Sequence, residues 1–235
     1  MTVEIWHAAV SSDAPGDLER TCESWLTPDE VAAADRLRRP TTRNQHVVGR
    51  GMTRRLLASP DGDPRSLPIG FDDGGKPNVA GCPDPFNVSH TDGMVVLAKF
   101  GREGSIGIDV EDLDRRIPLD MADRYFATPE TAWVHAARDD ADAGRRFLTI
   151  WTLKESFIKA IGTGMRTPLA DFAFRDADAR PRLELLSSDL RSRFDAGGWT
   201  FHTLSLTPRY LVSVAVDRPI DVPPTLHAFD SHRFA

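Results

Sequence analysis

Apolar and polar positions along this chain follow two periodicities, one typical of strands and one typical of helices. Alternation at every second residue predicts a half-buried strand, whereas apolar residues three or four positions apart predict a helix. With turn residues marking the ends, the predicted strands cover 3–10, 67–71, 86–89, 94–100, 105–111, 182–186, 199–206 and 210–216. The predicted helices cover 17–25, 27–39, 42–58, 128–138 and 144–161. An acidic turn is predicted at 139–143, and the Pro-rich tail from Pro219 is predicted to be irregular.

Two of the predicted helices begin with the same signal, at Thr27-Pro28-Asp29-Glu30 and at Thr128-Pro129-Glu130. Thr is a good N-cap, Pro fits the first helical position, and a nearby Glu can accept backbone N–H groups. In each half of the chain, strands precede this signal, and a long helix and further strands follow it. The order predicts a duplicated unit, with coincidence as the alternative because Thr-Pro helix starts are common.

The fold class expected from this order is α+β, with two similar subdomains at 1–104 and 105–235. We expect each subdomain to contain a small, mostly antiparallel sheet packed against helices, and a pseudo-twofold axis to relate the two. Because two such halves would form one body without a second chain, we also expect a monomer.

Composition narrows the possible functions without identifying one. The 235 residues are 40% hydrophobic and 27% charged, which is ordinary for a globular protein with a core. The net charge of -6 argues against a general nucleic-acid binder. No run of 18 apolar residues and no basic leader before an apolar stretch is visible, so we expect a cytoplasmic location without a membrane segment. Cys22 and Cys82 are far apart and are expected to be free thiols.

The predicted strand at 105–111 carries two carboxylates. Asp109 and Glu111 are two positions apart, so their side chains project from the same face of the strand. Paired carboxylates repel each other unless a cation lies nearby, and their oxygens suit a hard cation such as Mg²⁺. The alternative is a solvent-facing acidic strand end.

The long predicted helix of the second half carries a charged stripe. Trp151, Glu155 and Lys159 are spaced four residues apart and therefore share one face. A solvated surface pair is one interpretation. Large apolar residues on both sides of the stripe favour a second, in which the charges line a cleft.

Two further segments carry groups that suit phosphate oxygens. Ser89 and His90 follow a predicted strand, and both side chains can donate hydrogen bonds. Lys76 and Pro77 follow two glycines, which places a cation on a tight turn. A structural histidine and an exposed turn lysine are the alternatives.

In their order along the chain, these segments resemble the 4′-phosphopantetheinyl transferases. The matching motifs are G-K-P, then F-N-x-S-H-[ST], then G-x-D-x-E, then W-x-x-K-E-[AS]-x-x-K-A-x-G-x-G, and together they span about Trp25 to Gly164. The length resembles the larger, two-halved type that primes peptide and polyketide synthetases. The smaller type, which primes fatty-acid synthesis, is about half this size and works as a trimer.

The resemblance implies an activity. The protein would transfer 4′-phosphopantetheine from coenzyme A, its co-substrate, to a serine of an apo acyl or peptidyl carrier protein, and would release 3′,5′-ADP. Two alternatives remain open. One is another Mg²⁺-dependent enzyme that cleaves a nucleotide pyrophosphate, and the other is an inactive module that binds carrier or coenzyme A.

The resemblance also implies roles for individual residues. It implies that Asp109, Glu111 and Glu155 hold Mg²⁺ and that Glu155 is the general base. It implies that Lys159 and His90 stabilise charge during the reaction. The residues expected to contact the coenzyme are Lys76, Pro77, Ser89, His90, Lys154 and Lys159.

The chain departs from the family pattern near Thr27. Some members carry lysines there that contact the coenzyme's 3′-phosphate, but the stretch from Pro28 to Ala33 has none. We therefore expect the 3′-phosphate to be held by one or more of Arg36, Arg43, Arg50 and Arg54. For the acidic carrier, we expect docking beside the junction of the halves, on Arg115, Arg116, Arg124 and apolar residues of 117–126.

Overall fold

The computed structural model describes residues 2–72, 74–81, 84–101 and 103–234, so Cys82 lies outside the described residues. Contacts divide the chain into two compact units. The first unit comprises Val3–Glu103 together with the final segment from Pro224, and the second unit comprises Gly104–Pro223. The predicted boundary between 104 and 105 stays a prediction, but the final segment packs with the first unit rather than with the second.

The first unit contains strands and helices in alternating groups. In chain order they are β1 (Val3–Ala9), α1 (Asp17–Ser24), α2 (Pro28–Asp35), α3 (Pro40–Leu57), β2 (Ile69–Phe71), β3 (Pro77–Val79), β4 (Phe86–Thr91) and β5 (Met94–Phe100). The second unit continues with β6 (Ile106–Asp112), α4 (Asp120–Tyr125), α5 (Thr128–His135), α6 (Asp140–Ala160), β7 (Phe172–Arg175), β8 (Arg182–Leu185), α7 (Ser188–Arg193), β9 (Thr200–Ser205) and β10 (Tyr210–Val216). The last strand, β11 (Thr225–Ala228), belongs to the first unit.

The two units have the same strand order. In the first unit, β1 pairs with β5 and β5 with β4, all antiparallel, and β11 adds a parallel strand beside β1. In the second unit, β6 pairs with β10 and β10 with β9, all antiparallel. Each unit also contains a two-stranded hairpin, β2-β3 or β7-β8. The predicted α+β class with two similar subdomains is confirmed, whereas the pseudo-twofold axis stays a prediction.

A long helix covers one face of each sheet. In the first unit, α3 packs against β4 and β5, where Val47, Val48 and Met52 are completely buried. In the second unit, α6 packs against β6 and β10, and Phe157 lies at the centre of an aromatic cluster. The rings of Phe172 and Trp199 lie 4.9 and 5.0 Å from that of Phe157. Burial of each such side chain stabilises the folded state by about 1.5–3 kcal/mol, because apolar surface is removed from water.

Two predictions of local structure were wrong. The tail is not irregular throughout, because Thr225–Ala228 pairs with β1 and the ring of His227 stacks on Trp6 at 4.6 Å. The acidic turn at 139–143 is instead the start of α6, because Asp139 is the N-cap and accepts a hydrogen bond from the Asp142 N–H. Acidic side chains favour a helix N-terminus, where the peptide dipoles leave partial positive charge.

Four short elements, β3, α4, β7 and α7, were not predicted. None is longer than six residues, so each helix has fewer than two turns and each strand at most two repeats of its pattern. Within the described residues, no helix combines the length and the apolar character that crossing a bilayer requires.

Candidate active site

The site begins with a close approach between β6 and α6 at Gly107. A Cβ at this position would lie 2.0 Å from the carbonyl oxygen of Ser156 and 2.5 Å from the backbone nitrogen of Ala160. Because side chains alternate along a strand, Asp109 and Glu111 project from the same face as Gly107, which is the face against α6. The strand therefore presents both carboxylates to the helix.

Two basic side chains meet these carboxylates. The Lys159 Nζ of α6 donates a hydrogen bond of 2.6 Å to Asp109 Oδ1, and both groups are largely buried. Arg115, four residues after Glu111, donates to Glu111 Oε2 at 2.5 Å. The predicted docking residue Arg115 is thus held at the carboxylate cluster.

Glu155 of α6 completes the cluster. Burial, reinforced by the negative charge of Asp109 and in smaller part of Glu111, raises the pKa of Glu155 to about 7, although Lys159 opposes this rise. Burial and the charge of Asp109 also raise the pKa of Glu111, against the opposing effect of Arg115. A carboxylate with a pKa near neutrality can accept a proton and release it again at physiological pH.

The donor types of this cluster fit a hard cation, because three desolvated carboxylates concentrate negative charge. In the arrangement observed, Lys159 and Arg115 supply the positive charge at Asp109 and Glu111. Across the part of the chain that the structure describes, no group of three or more His, Cys, Asp or Glu side chains is placed so that it could hold a metal ion. Metal binding by this cluster therefore stays a prediction.

Three residues beside the cluster or at the end of β6 were not predicted, namely Thr152, Ser213 and Arg209. Ser213 of β10 lies directly across from Asp109 in the sheet, and its Oγ shares a hydrogen bond of 2.8 Å with Thr152 Oγ1 of α6. Arg209 donates two hydrogen bonds to Asp112 at 3.0 and 2.6 Å and lowers the pKa of that carboxyl group. Arg209 and Asp112 are 97 residues apart, so no local pattern connects them.

Lys154 does not fit its predicted contact with the coenzyme. Its side chain is completely buried, and its ammonium group lies 2.8 Å from Glu130 Oε2. It also donates to the carbonyl oxygens of Leu169 and Phe172, at 2.7 and 2.5 Å. An ammonium group has three N–H donors, so these three acceptors leave none for a ligand.

The remaining predicted residues lie in the first unit. Ser89 and His90 are neighbours on β4, an edge strand of the four-stranded sheet, with Ser89 buried and His90 exposed. Lys76 precedes β3, which begins at Pro77, and its backbone N–H donates to Asp72 Oδ1 at 2.8 Å. The Lys76 side chain is half-buried. Lys76 thus lies in the expected turn, whereas Ser89 and His90 lie within β4 rather than at its end, and the ligand contacts of these residues stay predictions.

Two of the four arginines expected at the 3′-phosphate are engaged by the protein. Arg54 donates through Nε and Nη2 to Glu30, and through Nη1 to three backbone carbonyl oxygens. Its buried guanidinium has no place for a phosphate, so the prediction for Arg54 does not fit. Arg43 forms ion pairs with Glu23 at 2.9 Å and Asp35 at 2.8 Å.

The other two arginines are less constrained. Arg50 has a longer contact of 3.3 Å with Glu30 and lies over the exposed ring of Phe71. Arg36, at the C-terminus of α2, is exposed. Of the four predicted arginines, Arg36 and Arg50 are therefore the two whose present contacts an anion could replace most easily.

Comparisons with known proteins show which family this chain is similar to. Residues 105–215 match the family model of the 4′-phosphopantetheinyl transferase superfamily. A 4′-phosphopantetheinyl transferase of Bacillus subtilis is 34% identical over 134 residues, which are 56% of this chain and 58% of that relative. The 4′-phosphopantetheinyl transferase HetI of Nostoc sp. is 28% identical over 202 residues, 80% of this chain and 84% of the relative. These matches confirm the family resemblance predicted from the motifs.

Similarity to solved structures is weaker. The match with the holo-ACP-synthase from Plasmodium yoelii covers 48% of this chain and 91% of the synthase chain, with 14% sequence identity and a TM-score of 0.39. A score this low supports no conclusion about function.

Proposed function

We propose that this chain, whose residues 105–215 match the 4′-phosphopantetheinyl transferase superfamily, transfers 4′-phosphopantetheine from coenzyme A to a serine of an apo acyl or peptidyl carrier protein. The observation that carries the proposal is the cluster formed by Asp109, Glu111, Glu155 and Lys159 between β6 and α6. Its residues are those of the two most specific motifs, although strand and helix are far apart in the sequence.

Glu155 is the general base of this proposal. It accepts the proton of the carrier serine hydroxyl as the serine oxygen forms a bond to the β-phosphorus of coenzyme A. The bond between that phosphorus and the bridging oxygen breaks, and 3′,5′-ADP leaves with the electron pair. Lys159, whose ammonium lies at Asp109, supplies positive charge where the leaving phosphate becomes more negative.

A magnesium ion held by Asp109, Glu111 and Glu155 would neutralise the diphosphate and orient it for attack. The high pKa of Glu155 supports such a role, because a cation would relieve the repulsion among the three carboxylates. Binding would require Lys159 and Arg115 to release Asp109 and Glu111 at least in part. Positioning and charge stabilisation account for most of the catalysis in phosphoryl transfer.

For the coenzyme, the family resemblance assigns phosphate contacts to Ser89 and His90 and adenosine-side contacts to Lys76 and Pro77. For the 3′-phosphate we favour Arg36 and Arg50 over Arg43 and Arg54, because the latter pair is held by carboxylates and carbonyl groups. The exchange of one ion pair for another costs least where the existing contact is long or solvated.

The carrier would dock on α4 and the loop before it. Arg116 is exposed, and Arg124 is exposed with only an i,i+4 pair to Asp120 at 3.2 Å. Tyr125 adds an exposed ring at the end of α4. Exposed charges of this kind steer an acidic partner more than they hold it. The monomeric state and the cytoplasmic location stay predictions.

The test is intact-protein mass spectrometry of an apo carrier incubated with coenzyme A, Mg²⁺ and the full chain. We expect the carrier mass to increase by one phosphopantetheine, and a carrier whose serine is replaced by alanine to show no increase. Excess EDTA should suppress the gain. A carrier of unchanged mass across a panel of apo carriers would refute the transferase.

The same reaction mixtures separate the alternatives. Cleavage of coenzyme A without any carrier would indicate a pyrophosphate-cleaving enzyme. Binding of coenzyme A or carrier, measured by calorimetry, without cleavage or mass gain would indicate a binding module.

A further inference from the structure

Lys154 and Glu130 form a completely buried ion pair beside the cluster, and the mechanism above does not use it. Lys154 precedes Glu155 on α6, and its ammonium contacts Glu130, the carbonyl oxygen of Leu169 and the carbonyl oxygen of Phe172. We call these four groups the Lys154 clamp. Its ammonium also lies 4.3 Å from the centre of the Phe172 ring.

Glu130 connects the clamp to two further elements. Its Oε2 accepts the backbone N–H of Ala127 at the start of α5, at 3.0 Å. Its Oε1 accepts the backbone N–H of Phe174 in β7, at 2.8 Å. The clamp therefore ties one turn of α6 to α5, to β7 and to the turn that precedes β7.

Stability alone does not account for a pair of this kind. Two charges removed from water carry a large desolvation penalty, and replacement of a buried pair by uncharged groups is often neutral or stabilising. What the pair does supply is direction, because an ammonium with three fixed acceptors is satisfied in only one orientation.

We propose that the Lys154 clamp is a positioning device that sets the rotation of α6 and thereby holds Glu155 against Asp109. The proposal rests on the transferase function proposed above. On the strand side, the close contact at Gly107 limits how far α6 can approach β6. Hydrogen bonds between Thr152 and Ser213 and from Lys159 to Asp109 also tie α6 to the sheet, and the clamp adds a constraint at Lys154 itself, next to Glu155.

A small rotation would matter for chemistry. A side-chain end lies about 6 Å from the helix axis, so a rotation of about 10° moves it by about 1 Å. A displacement of about 1 Å at a reacting group can lower a rate about 100-fold. Glu155 directly follows Lys154, so a rotation of the helix at Lys154 would turn Glu155 by nearly the same angle.

The main test removes both charges together, so that no unpaired charge is left buried. In the variant K154M/E130Q, the Gln oxygen can still accept one of the two backbone N–H groups. The control variant R146M/D142N removes an ion pair of 3.1 Å from the same helix, away from Glu155. Both variants are compared with the wild type in kcat and in KM for coenzyme A and carrier.

We expect kcat of folded K154M/E130Q to fall at least about 10-fold with both KM values within about 3-fold of wild type, because binding groups are not altered. We expect R146M/D142N to keep the wild-type kcat. A folded K154M/E130Q with wild-type kcat would overturn the proposal, and so would an equal loss of kcat in the control.

If the double variant does not fold, Glu130→Asp provides the same test. It keeps both charges and shortens the carboxylate arm by one methylene, so that the pair can form only if α6 shifts. We expect kcat to fall at least about 3-fold at unchanged KM, and a folded variant with wild-type kcat contradicts the clamp's role.

A readout without catalysis distinguishes failure of this inference from failure of the transferase. If wild-type protein modifies no carrier, the proposed function fails, and hydrogen exchange then decides on the clamp alone. In Glu130→Asp, backbone amides at 155–160 should exchange at least about 10-fold faster than in wild type, with those at 144–150 unchanged. Equal exchange in both segments would refute a positioning role.

Discussion

The two units contain the same clamp, built at the same spacing and used differently. In each, a Glu at the third position of a Thr-Pro helix binds a cation 24 residues later on the long helix, Arg54 in the first unit and Lys154 in the second. Each cation also donates to backbone carbonyl groups that follow its helix. The same spacing from Glu to cation and the same kinds of acceptor extend the similarity of the two units to a single interaction.

The difference lies in burial and in the next residue. The Lys154 and Glu130 side chains are 0% and 1% exposed, whereas those of Arg54 and Glu30 are 5% and 16% exposed. Arg54 is followed by Arg55, but Lys154 is followed by Glu155. The candidate base therefore directly follows the clamp cation only in the unit whose long helix faces two strand carboxylates.

The largest effect expected from this contrast concerns Glu155. Glu155→Gln should lower carrier modification by about 10²–10⁴-fold, because the amide cannot accept the serine proton. The matched change in the first unit, Arg55→Gln, should leave the rate unchanged. Turnover is measured by carrier mass and folding by circular dichroism. Near wild-type turnover in folded Glu155→Gln would remove the general base from the mechanism.

The two clamps should differ in their sensitivity to the loss of one partner. Glu130→Gln leaves the Lys154 charge in a dry site and should lower the free energy of unfolding by about 3–5 kcal/mol. Glu30→Gln should cost about half as much, because Arg54 keeps three carbonyl acceptors and lies nearer to water. Urea unfolding of both variants measures this contrast, and equal losses would show that the difference in burial has no energetic consequence.

The two units should also differ in how strongly the contact between long helix and sheet opposes an added methyl group. Gly107→Ala would force a Cβ against backbone atoms of α6, and we expect a loss of about 3 kcal/mol or a failure to fold. In the first unit, a Cβ at Gly49 of α3 would lie 3.3 Å from a Val88 side-chain carbon, so Gly49→Ala should cost about 1 kcal/mol. Gly144→Ala of α6, with open space around the position, is the control without a steric clash, and it should stabilise by up to about 1 kcal/mol because alanine has the higher helix propensity.

The stability contributed by Glu30 should depend on pH. Burial acts to raise the pKa of Glu30, but hydrogen bonds from Arg54 and Thr27 and the arginine charges outweigh it and hold the pKa below its ordinary 4.5. The stabilisation is therefore complete above pH 4.5 and is lost as the pH falls through the lowered pKa. The difference in unfolding free energy between wild type and Glu30→Gln, about 2 kcal/mol at pH 7, should shrink below pH 4.5. A constant difference down to pH 3 would contradict this.

The smallest effect is expected at the proposed docking face of the second unit. Reversal of the charges of Arg116 and Arg124 to Glu should raise KM for an acidic carrier by about 3–10-fold, with kcat nearly unchanged and a marked salt dependence. The matched reversal of Arg38 and Arg39, exposed in the first unit, should leave KM unchanged. Equal KM values in both variants would exclude this face.

Much of the fold followed from local patterns. The apolar run Tyr210–Val216 predicted a strand with its ends correct, and helical spacing located the long helices. One strand of each hairpin, β3 or β7, and the return of Thr225–Ala228 to β1 were missed, because three or four residues carry too little period to be recognised. Thr225 and Val3, which share a hydrogen bond, are 222 residues apart, so no local sequence pattern could predict that these two segments pair.

For the candidate site, the sequence by itself determined that Asp109 and Glu111 share a strand face and that Glu155 and Lys159 share a helix face, because side-chain direction follows from backbone period. Only the tertiary structure decided that these two faces meet, which is what raises the pKa of Glu155 to about 7.

The same holds for the basic residues. Motif position suggested that Lys154 binds the coenzyme, and the absence of lysines after Thr27 made Arg54 one of four candidates, whereas packing buried both cations against carboxylates and carbonyl groups. Residue type and spacing are local properties, but solvent exposure and choice of partner depend on which distant segments pack together.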